Sequence, residues 1–314
     1  MRIVFMGTPR FAVPSLEALR AAGHEIIAVC TQPDRPAGRS GRPAAPPVKI
    51  LAGELRCEVL QPAGLGDGDL AARLREMRPD LLAVVAYGLK LPGWLLGLPR
   101  LGAVNLHPSL LPRYRGAAPV NWALINGEEE TGVTTMHLAE RMDAGDIILQ
   151  QRVAVLPDEN AGQLETRLSS LGADLLARTA AMIAEGTAPR TPQDEALATA
   201  APKLVPDHGR IEWTRPARRI RDLVRGVTPK PGAFTLFRGQ RLEIAKVEPA
   251  APFLPRDAAG GAGEIIGLDT SRGPVVGTGD GALVLRAVKP AGRREMDGAA
   301  FLNGYRPAVG EPVG

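Results

Sequence analysis

Two cysteines, Cys30 and Cys57, are the only thiols in 314 residues. They form no C-x-x-C pair, which excludes a cysteine-built zinc site and a disulfide framework and suits a reduced, cytoplasmic setting. Long hydrophobic runs are missing too. The opening stretch Met1–Gly7 is apolar but stops at a turn signal, so it reads as a first strand and not a signal peptide. No later run reaches the length of a membrane span, and no membrane association is expected. The fingerprint G-x-G-x-x-G does not follow the first strand, so no NAD is expected. No metal site and no internal repeat are expected either. Lysine is scarce, with 6 residues against 32 arginines.

A hydrophobic share of 45% can supply real cores, and the length suits two domains. Apolar runs at Arg2–Met6, Glu25–Thr31, Asp80–Ala86 and Ala103–His107 read as strands, and helical periods separate them. Val13–Ala22, Asp69–Met77 and Ala117–Gly127 carry those periods, and a long amphipathic helix is predicted over Leu164–Glu185. Strand, helix and strand in alternation give an α/β fold with a Rossmann-like, mostly parallel sheet over residues 1–188. Ile147–Arg152 is expected as an antiparallel edge strand. Residues 189–206 carry several prolines and no sustained period, and read as a linker.

Beyond that point the grammar changes. A short strand at Arg210–Trp213 and a helix at Arg215–Arg225 precede five short strands with glycine turns. These are Ala233–Phe237, Arg241–Val247, Glu264–Leu268, Pro274–Thr278 and Ala282–Val288. Residues 207–314 are therefore expected to form a small OB-like β-barrel. Charge is divided unevenly between the halves. Residues 1–206 carry 21 Lys+Arg against 22 Asp+Glu, a balance of −1, and residues 207–314 carry 17 against 12, a balance of +5. Such asymmetry points to a polyanionic partner, or to a compositional preference for arginine.

The loop over residues 32–47 is rich in proline and glycine and carries Arg35, Arg39 and Arg42. It is longer than the usual strand-to-helix connection. Two readings stand: a solvated surface loop, or an arm that reaches a phosphate backbone.

The chemistry is concentrated in Asn105-Leu-His107. On a strand their side chains share one face. They lie at its carboxyl end, where open α/β sheets bind ligands. Polar neighbours on an apolar strand are costly to bury unless bonded or working. An amide can donate to an oxygen that gains negative charge, and an imidazole can move a proton near neutrality. The pair suits acyl transfer to an amine, with Asp143 or Asp146 as the carboxylate that tunes the imidazole. Ser109-Leu110-Leu111-Pro112 reads as a pocket-lining loop, and Arg113-Tyr-Arg-Gly116 as pocket or ordinary surface.

The stretch from Asn105 to Pro119, with Asp143-Ala-Gly-Asp146 downstream, resembles the 10-formyltetrahydrofolate-dependent formyltransferases. The likeness extends through Phe5-Met-Gly-Thr-Pro9, Thr31-Gln-Pro-Asp-Arg-Pro-Ala-Gly-Arg39, Val85-Ala-Tyr-Gly-Leu89 and Gly209-Arg-Ile-Glu-Trp213, nearly the whole chain. It implies that Asn105, His107 and Asp143 are the catalytic trio. It implies that Ser109, Leu110, Leu111 and Pro112, with Tyr87, Gly88 and Leu89, line the site of 10-formyltetrahydrofolate. The arginine loop and the C-terminal part narrow the likeness to members whose acceptor is methionyl initiator tRNA, with Arg39, Arg42 and Arg35 as tRNA contacts. A more lysine-rich stretch is expected after Arg39, whereas Ser40-Gly-Arg42-Pro follows, which leaves open how those contacts divide. A monomer is expected. Rival readings are formyl transfer to a nucleotide-sugar amine, hydrolysis of the formyl-folate, and a non-catalytic RNA-binding protein. The arginine loop and the basic C-terminal third argue against the first two, and the intact trio argues against the last.

Overall fold

The apolar run at the start of the chain becomes β1 (Arg2–Gly7), and Ile3, Val4, Phe5 and Met6 on it are fully buried. A strand covered on both faces needs such a run. In this computed structural model, residues 1–37, 41–66, 68–250 and 261–314 are described, and the side chains of Ala37 and Arg42 are not. The chain divides into two units. Unit 1 comprises Met1–Pro119, Glu130–Ala154 and Glu165–Pro202; unit 2 comprises Val120–Glu129, Val155–Leu164 and Lys203–Gly314. No helix among the described residues is long and apolar enough to cross a membrane.

Helix α1 (Val13–Ala21) has a proline in its first turn, where the missing N–H costs nothing, and leads into β2 (Glu25–Cys30). The arginine-bearing stretch then forms an antiparallel ribbon, β3 (Arg35–Ala37) and β4 (Arg42–Ala44), with Arg35 opposite Ala44. Each ribbon strand has one unpaired edge, which is how its prolines are accommodated. The ribbon's base is held by Lys49 Nζ, 2.8 Å from Asp34 Oδ1, and by Gln61 Nε2, which donates to Asp34 Oδ1 at 2.8 Å.

The alternation continues through α2 (Pro47–Glu54), β5 (Val59–Leu60), α3 (Gly68–Met77), β6 (Leu81–Val85), α4 (Gly93–Leu96) and β7 (Ala103–His107). After β8 (Arg115–Gly116) and α5 (Pro119–Ile125) come β9 (Glu130–His137), β10 (Ile147–Ala154), α6 (Ala161–Glu185) and β11 (Ala200–Ala201). The main sheet has the order β10-β9-β7-β6-β1-β2-β5. Its five strands from β5 to β7 are parallel, whereas β9 runs antiparallel to β7 and β10 antiparallel to β9. One face buries Val4, Met6, Leu82, Val84, Tyr87, Leu95 and Ala103 in a single apolar cluster. On the other, α6 comes so close to β7 that a Cβ on Gly172 would meet Leu106 Cδ2 at 2.6 Å.

Residues 189–202, read from the sequence as part of a linker, are hydrogen bonded into unit 1. Ile147 N donates to Thr191 O at 2.8 Å, and β11 pairs in parallel with β8. These bonds join backbone to backbone across long sequence separations, so no local period announces them.

Unit 2 contains α7 (Ala217–Val227), β12 (Ala233–Phe237), β13 (Gln240–Pro249), β14 (Ile265–Asp269), β15 (Gly273–Gly277), β16 (Ala282–Pro290), β17 (Met296–Asp297) and α8 (Gly298–Tyr305). All five predicted strands are present, in an antiparallel order β12-β13-β16-β15-β14, and β17 adds to β16. The architecture is an antiparallel sheet with helices. Its core gathers Trp213, Ile220, Val224, Ile244, Leu285 and Phe301.

The strand expected at Arg210–Trp213 is reduced to a single bridge from Arg210 to Phe234. Trp213 leaves the ladder to bury its ring, and its Nε1 donates to Thr235 Oγ1 at 3.0 Å. Three of the four arginines of α7 pair with acids of their own unit, and Arg219 donates to the Asn126 carbonyl. Arg225 lies 2.9 Å from Asp222, Arg221 3.1 Å from Asp158, and Arg218 3.5 Å from Glu129.

Candidate active site

Strand β7 spans Ala103–His107, the bounds predicted from its apolar run. On β9, Met136 stands opposite Asn105 and Thr134 opposite His107. The pleat puts Ala103, Asn105 and His107 on one face, with His107 as the last residue of the strand. Neighbouring strand ends are tied together there. Thr8 Oγ1, after β1, donates to Tyr87 O at 3.0 Å and accepts from Gln32 N at 3.3 Å.

His107 is only 4% exposed, and its Nε2 lies 2.9 Å from Tyr114 O. A carbonyl can only accept, so Nε2 carries the proton and donates it. The other nitrogen, Nδ1, faces Asp143 Oδ2 at 3.8 Å. That distance is too long for a hydrogen bond, and the coupling is electrostatic. Asn105 is half-buried, and no hydrogen bond to its side chain occurs among the described residues. The imidazole nitrogen not bonded to Tyr114 thus has an uncommitted amide beside it and a carboxylate facing it.

The two groups that define His107 both sit on strained backbone. Tyr114 has φ +62° and Asp143 φ +52°. A bulky residue rarely adopts such values, whereas aspartate tolerates them better. Asp143 Oδ2 accepts from Gly116 N at 2.9 Å. Asp146, the other carboxylate open to the sequence reading, instead lies 3.8 Å from Arg190, and its backbone carbonyl accepts from His137 N at 2.9 Å. It does not face His107, so the structure brings Asp143 alone to the imidazole.

The Ser109–Pro112 loop has a rigid support. Thr134 Oγ1 donates to Ser109 O at 2.6 Å and accepts from Leu111 N at 3.2 Å and Gln150 Nε2 at 3.0 Å. Gln150 Nε2 also donates to Leu111 O at 2.8 Å. Ser109 Oγ is used internally, donating to Arg113 O at 2.7 Å. Thr134 is fully buried. Thr134→Val keeps its shape but leaves Ser109 O and Leu111 N short of a partner, and an expected loss of about 1–3 kcal/mol follows. Urea unfolding of the variant beside wild type measures it.

Of the Tyr87–Leu89 segment, the Tyr87 ring belongs to the core cluster that also contains Cys30, Leu91 and Leu95. Burial raises the pKa of its hydroxyl, which has no hydrogen-bond partner. Gly88, at φ +93°, and the 38% exposed Leu89 are the members that face outward. Arg35 donates to Gln32 Oε1 at 3.2 Å, while Arg39 and the side chain of Arg42 lie outside the described residues.

Several contributors escaped the sequence reading. Arg113–Gly116, open there to being ordinary surface, supplies the carbonyl and the N–H that hold His107 and Asp143. Arg115 is anchored below them, its guanidinium bonded to Gln193 Oε1 at 2.7 Å and Glu195 Oε1 at 2.9 Å. Thr199 Oγ1 accepts from Tyr114 N at 2.8 Å. Arg141 also pairs with Glu195. Hydrogen bonds from Arg115 first, and then Arg141, hold the Glu195 carboxyl down at about 2, so it stays ionised at any working pH. Backbone partners carry no residue signature, and Gln193 and Glu195 lie nearly eighty residues from Arg115; a polar Gln-Asp-Glu run among prolines was the one hint.

Comparison with known proteins is consistent with this geometry. Residues 1–180 match the family described as formyl transferase, and residues 203–306 match its C-terminal domain. The chain is 49% identical over 314 residues to the methionyl-tRNA formyltransferase of Moorella thermoacetica, covering 100% of this chain and 99% of that one. Among solved structures it is similar to an N-formyltransferase from Helicobacter canadensis in complex with folinic acid and dTDP-3-aminofucose. That likeness has a TM-score of 0.65 at 16% identity and covers 94% of this chain and 100% of that one. It is also similar to HypX from Aquifex aeolicus in complex with tetrahydrofolic acid, with a TM-score of 0.63 at 19% identity. There it covers 99% of this chain but only 48% of that longer one, so the chain spans about half of HypX.

Proposed function

As the chain belongs to the formyl transferase family, we propose that Asn105, His107 and Asp143 carry the transfer of a formyl group from 10-formyltetrahydrofolate to the α-amine of methionyl initiator tRNA. The product is N-formylmethionyl-tRNA, used in translation initiation. One observation carries the assignment of residues. His107 commits Nε2 to Tyr114 O at 2.9 Å, which leaves Nδ1 toward Asp143 and beside the uncommitted Asn105 amide.

The folate supplies the formyl carbon, carried on its N10. The residues present suit it: Ser109, Leu110, Leu111 and Pro112 form a backbone edge braced by Thr134 and Gln150, and outward-facing Gly88 and Leu89 offer apolar surface. The methionyl amine attacks the formyl carbon, and once the new C–N bond has formed the bond from that carbon to N10 breaks. Asn105 and the protonated Nδ1 of His107 stabilise the negative charge that develops on the formyl oxygen. Asp143, which faces Nδ1 at 3.8 Å, helps pass the amine proton to the departing folate nitrogen. Donors already in place cost no reorganisation at the moment of reaction, which makes such stabilisation effective.

The assay that tests this reading supplies 10-formyltetrahydrofolate with charged initiator tRNA, charged elongator tRNA and a nucleotide-sugar amine in parallel. Preference for the initiator is expected, and a preference for the sugar amine would sink the assignment.

Arg35, Arg39 and Arg42 are proposed as contacts to the acceptor's phosphates, on the strength of their loop and its charge. Arg39→Ala and Arg42→Ala are each expected to raise KM for tRNA severalfold and leave kcat unchanged. Each lost phosphate contact lowers the slope of log KM against log salt by about 1, so the defect is larger at low salt. Defects that ignore salt would exclude phosphate contact.

A further inference from the structure

We infer that Gln193 is a positioning residue for formyl transfer, holding the Asp143 turn at its working distance from His107; this rests on the role proposed for Asp143 above. Its side-chain amide makes two kinds of bond at once. Nε2 donates to Asp143 O at 2.9 Å and to Gly145 O at 2.8 Å. Oε1 accepts from Arg115 Nε at 3.1 Å and Nη2 at 2.7 Å. The amide orientation is therefore unambiguous, because the reverse would set NH2 against a guanidinium and oxygen against two carbonyls.

These bonds close a ring. Gly116 N donates to Asp143 Oδ2, Gln193 grips the Asp143 carbonyl, and Arg115, the residue before Gly116, grips Gln193. Glu195 reinforces it by taking both Arg115 and Arg141, which lie on the two segments being joined. The Arg115 side chain is only 11% exposed, so its bonds to Gln193 are shielded from competing water. The turn has little freedom of its own, since a Cβ on Gly145 would collide with the His137 carbonyl oxygen.

The ring matters because the interaction it sets is not a hydrogen bond. At 3.8 Å the Asp143 carboxylate acts on Nδ1 through its field alone, and no bond of its own keeps it in register with His107. Its place is decided by Gly116 N–H on the carboxylate side and Gln193 on the backbone side. Groups that orient a working side chain typically contribute ten- to hundredfold, and small misplacements near the reacting atoms cost similar factors.

Two variants separate the contributions. Gln193→Leu removes both halves of the amide's bonding. Gln193→Glu keeps an acceptor for Arg115 but sets a carboxylate against the two turn carbonyls. In steady-state assays beside wild type, both are expected to lower kcat about tenfold or more, with KM for folate and tRNA within about twofold. Thermal unfolding of Gln193→Glu is expected within a few degrees of wild type, so this variant decides the matter if Gln193→Leu does not fold. Wild-type kcat in folded Gln193→Glu, or a loss expressed in KM instead of kcat, overturns the inference and leaves a structural staple. Absence of turnover in wild type itself would overturn the functional reading, a different failure.

Discussion

His107→Ala is expected to yield a folded protein that formylates methionyl-tRNA at least about a hundredfold more slowly than wild type. The magnitude follows from removing one donor to a developing oxyanion, which typically costs on the order of 10²–10³ in kcat. The fold tolerates the change because β7 keeps its ladders to β6 and β9, which are made by backbone. Stability falls by about 1–3 kcal/mol, since the Tyr114 carbonyl loses the Nε2–H it now receives at 2.9 Å. Asn105→Ala is expected to lose a similar factor in kcat and almost no stability, because among the described residues that amide makes no hydrogen bond to be broken. Asn105→Asp, which sets a negative charge beside the developing one, is expected to be slower still. Single-turnover transfer at saturating folate and tRNA measures all three. Near-normal turnover by folded His107→Ala would remove His107 from the chemistry.

Gly116→Ala is the second large effect, and it acts on structure and chemistry together. Gly116 has φ +128°, a conformation that residues with a side chain rarely adopt. An added Cβ would lie 2.5 Å from Ala201 O and 3.0 Å from Ala201 C, both backbone atoms of the paired strand β11. Neither can rotate away, so β8 and β11 must separate. Backbone strain and overpacking each cost about 1–3 kcal/mol, and a combined loss of about 3 kcal/mol is expected by urea unfolding. The same shift draws the Gly116 N–H off Asp143 Oδ2, now at 2.9 Å. Turnover is therefore expected to fall by about tenfold or more, even at temperatures where the variant is fully folded. Wild-type stability for Gly116→Ala would mean that β11 does not press on β8 in solution.

Much of this protein was legible before any coordinates. The runs at Arg2–Met6, Asp80–Ala86 and Ala103–His107 read as strands because burial on both faces demands unbroken apolar sequence. The five short strands after residue 232 were legible through their glycine turns. Asn105 and His107 were legible as a pair because side chains two apart on a strand must share a face. The Arg210–Trp213 strand was misread: a short β-like run does not reveal that Trp213 will turn its ring inward. The charge count located the positive excess in the C-terminal third, but not that Arg218, Arg221 and Arg225 pair with Glu129, Asp158 and Asp222.

By itself, then, the sequence determined the alternation of the main strands and helices, the strand that bears the pair and the side-chain types on it, because periodicity and side-chain type are local properties. The resemblance implied Asp143, but only the tertiary structure set that carboxylate and not Asp146 toward the imidazole, and bonded Nε2 to Tyr114 so that Nδ1 is the nitrogen facing it. It alone decided that an apparent linker braces the site through Gln193, Glu195 and Thr199. Those choices rest on carbonyls and N–H groups that every residue possesses, and nothing short of the folded chain says which of them meet.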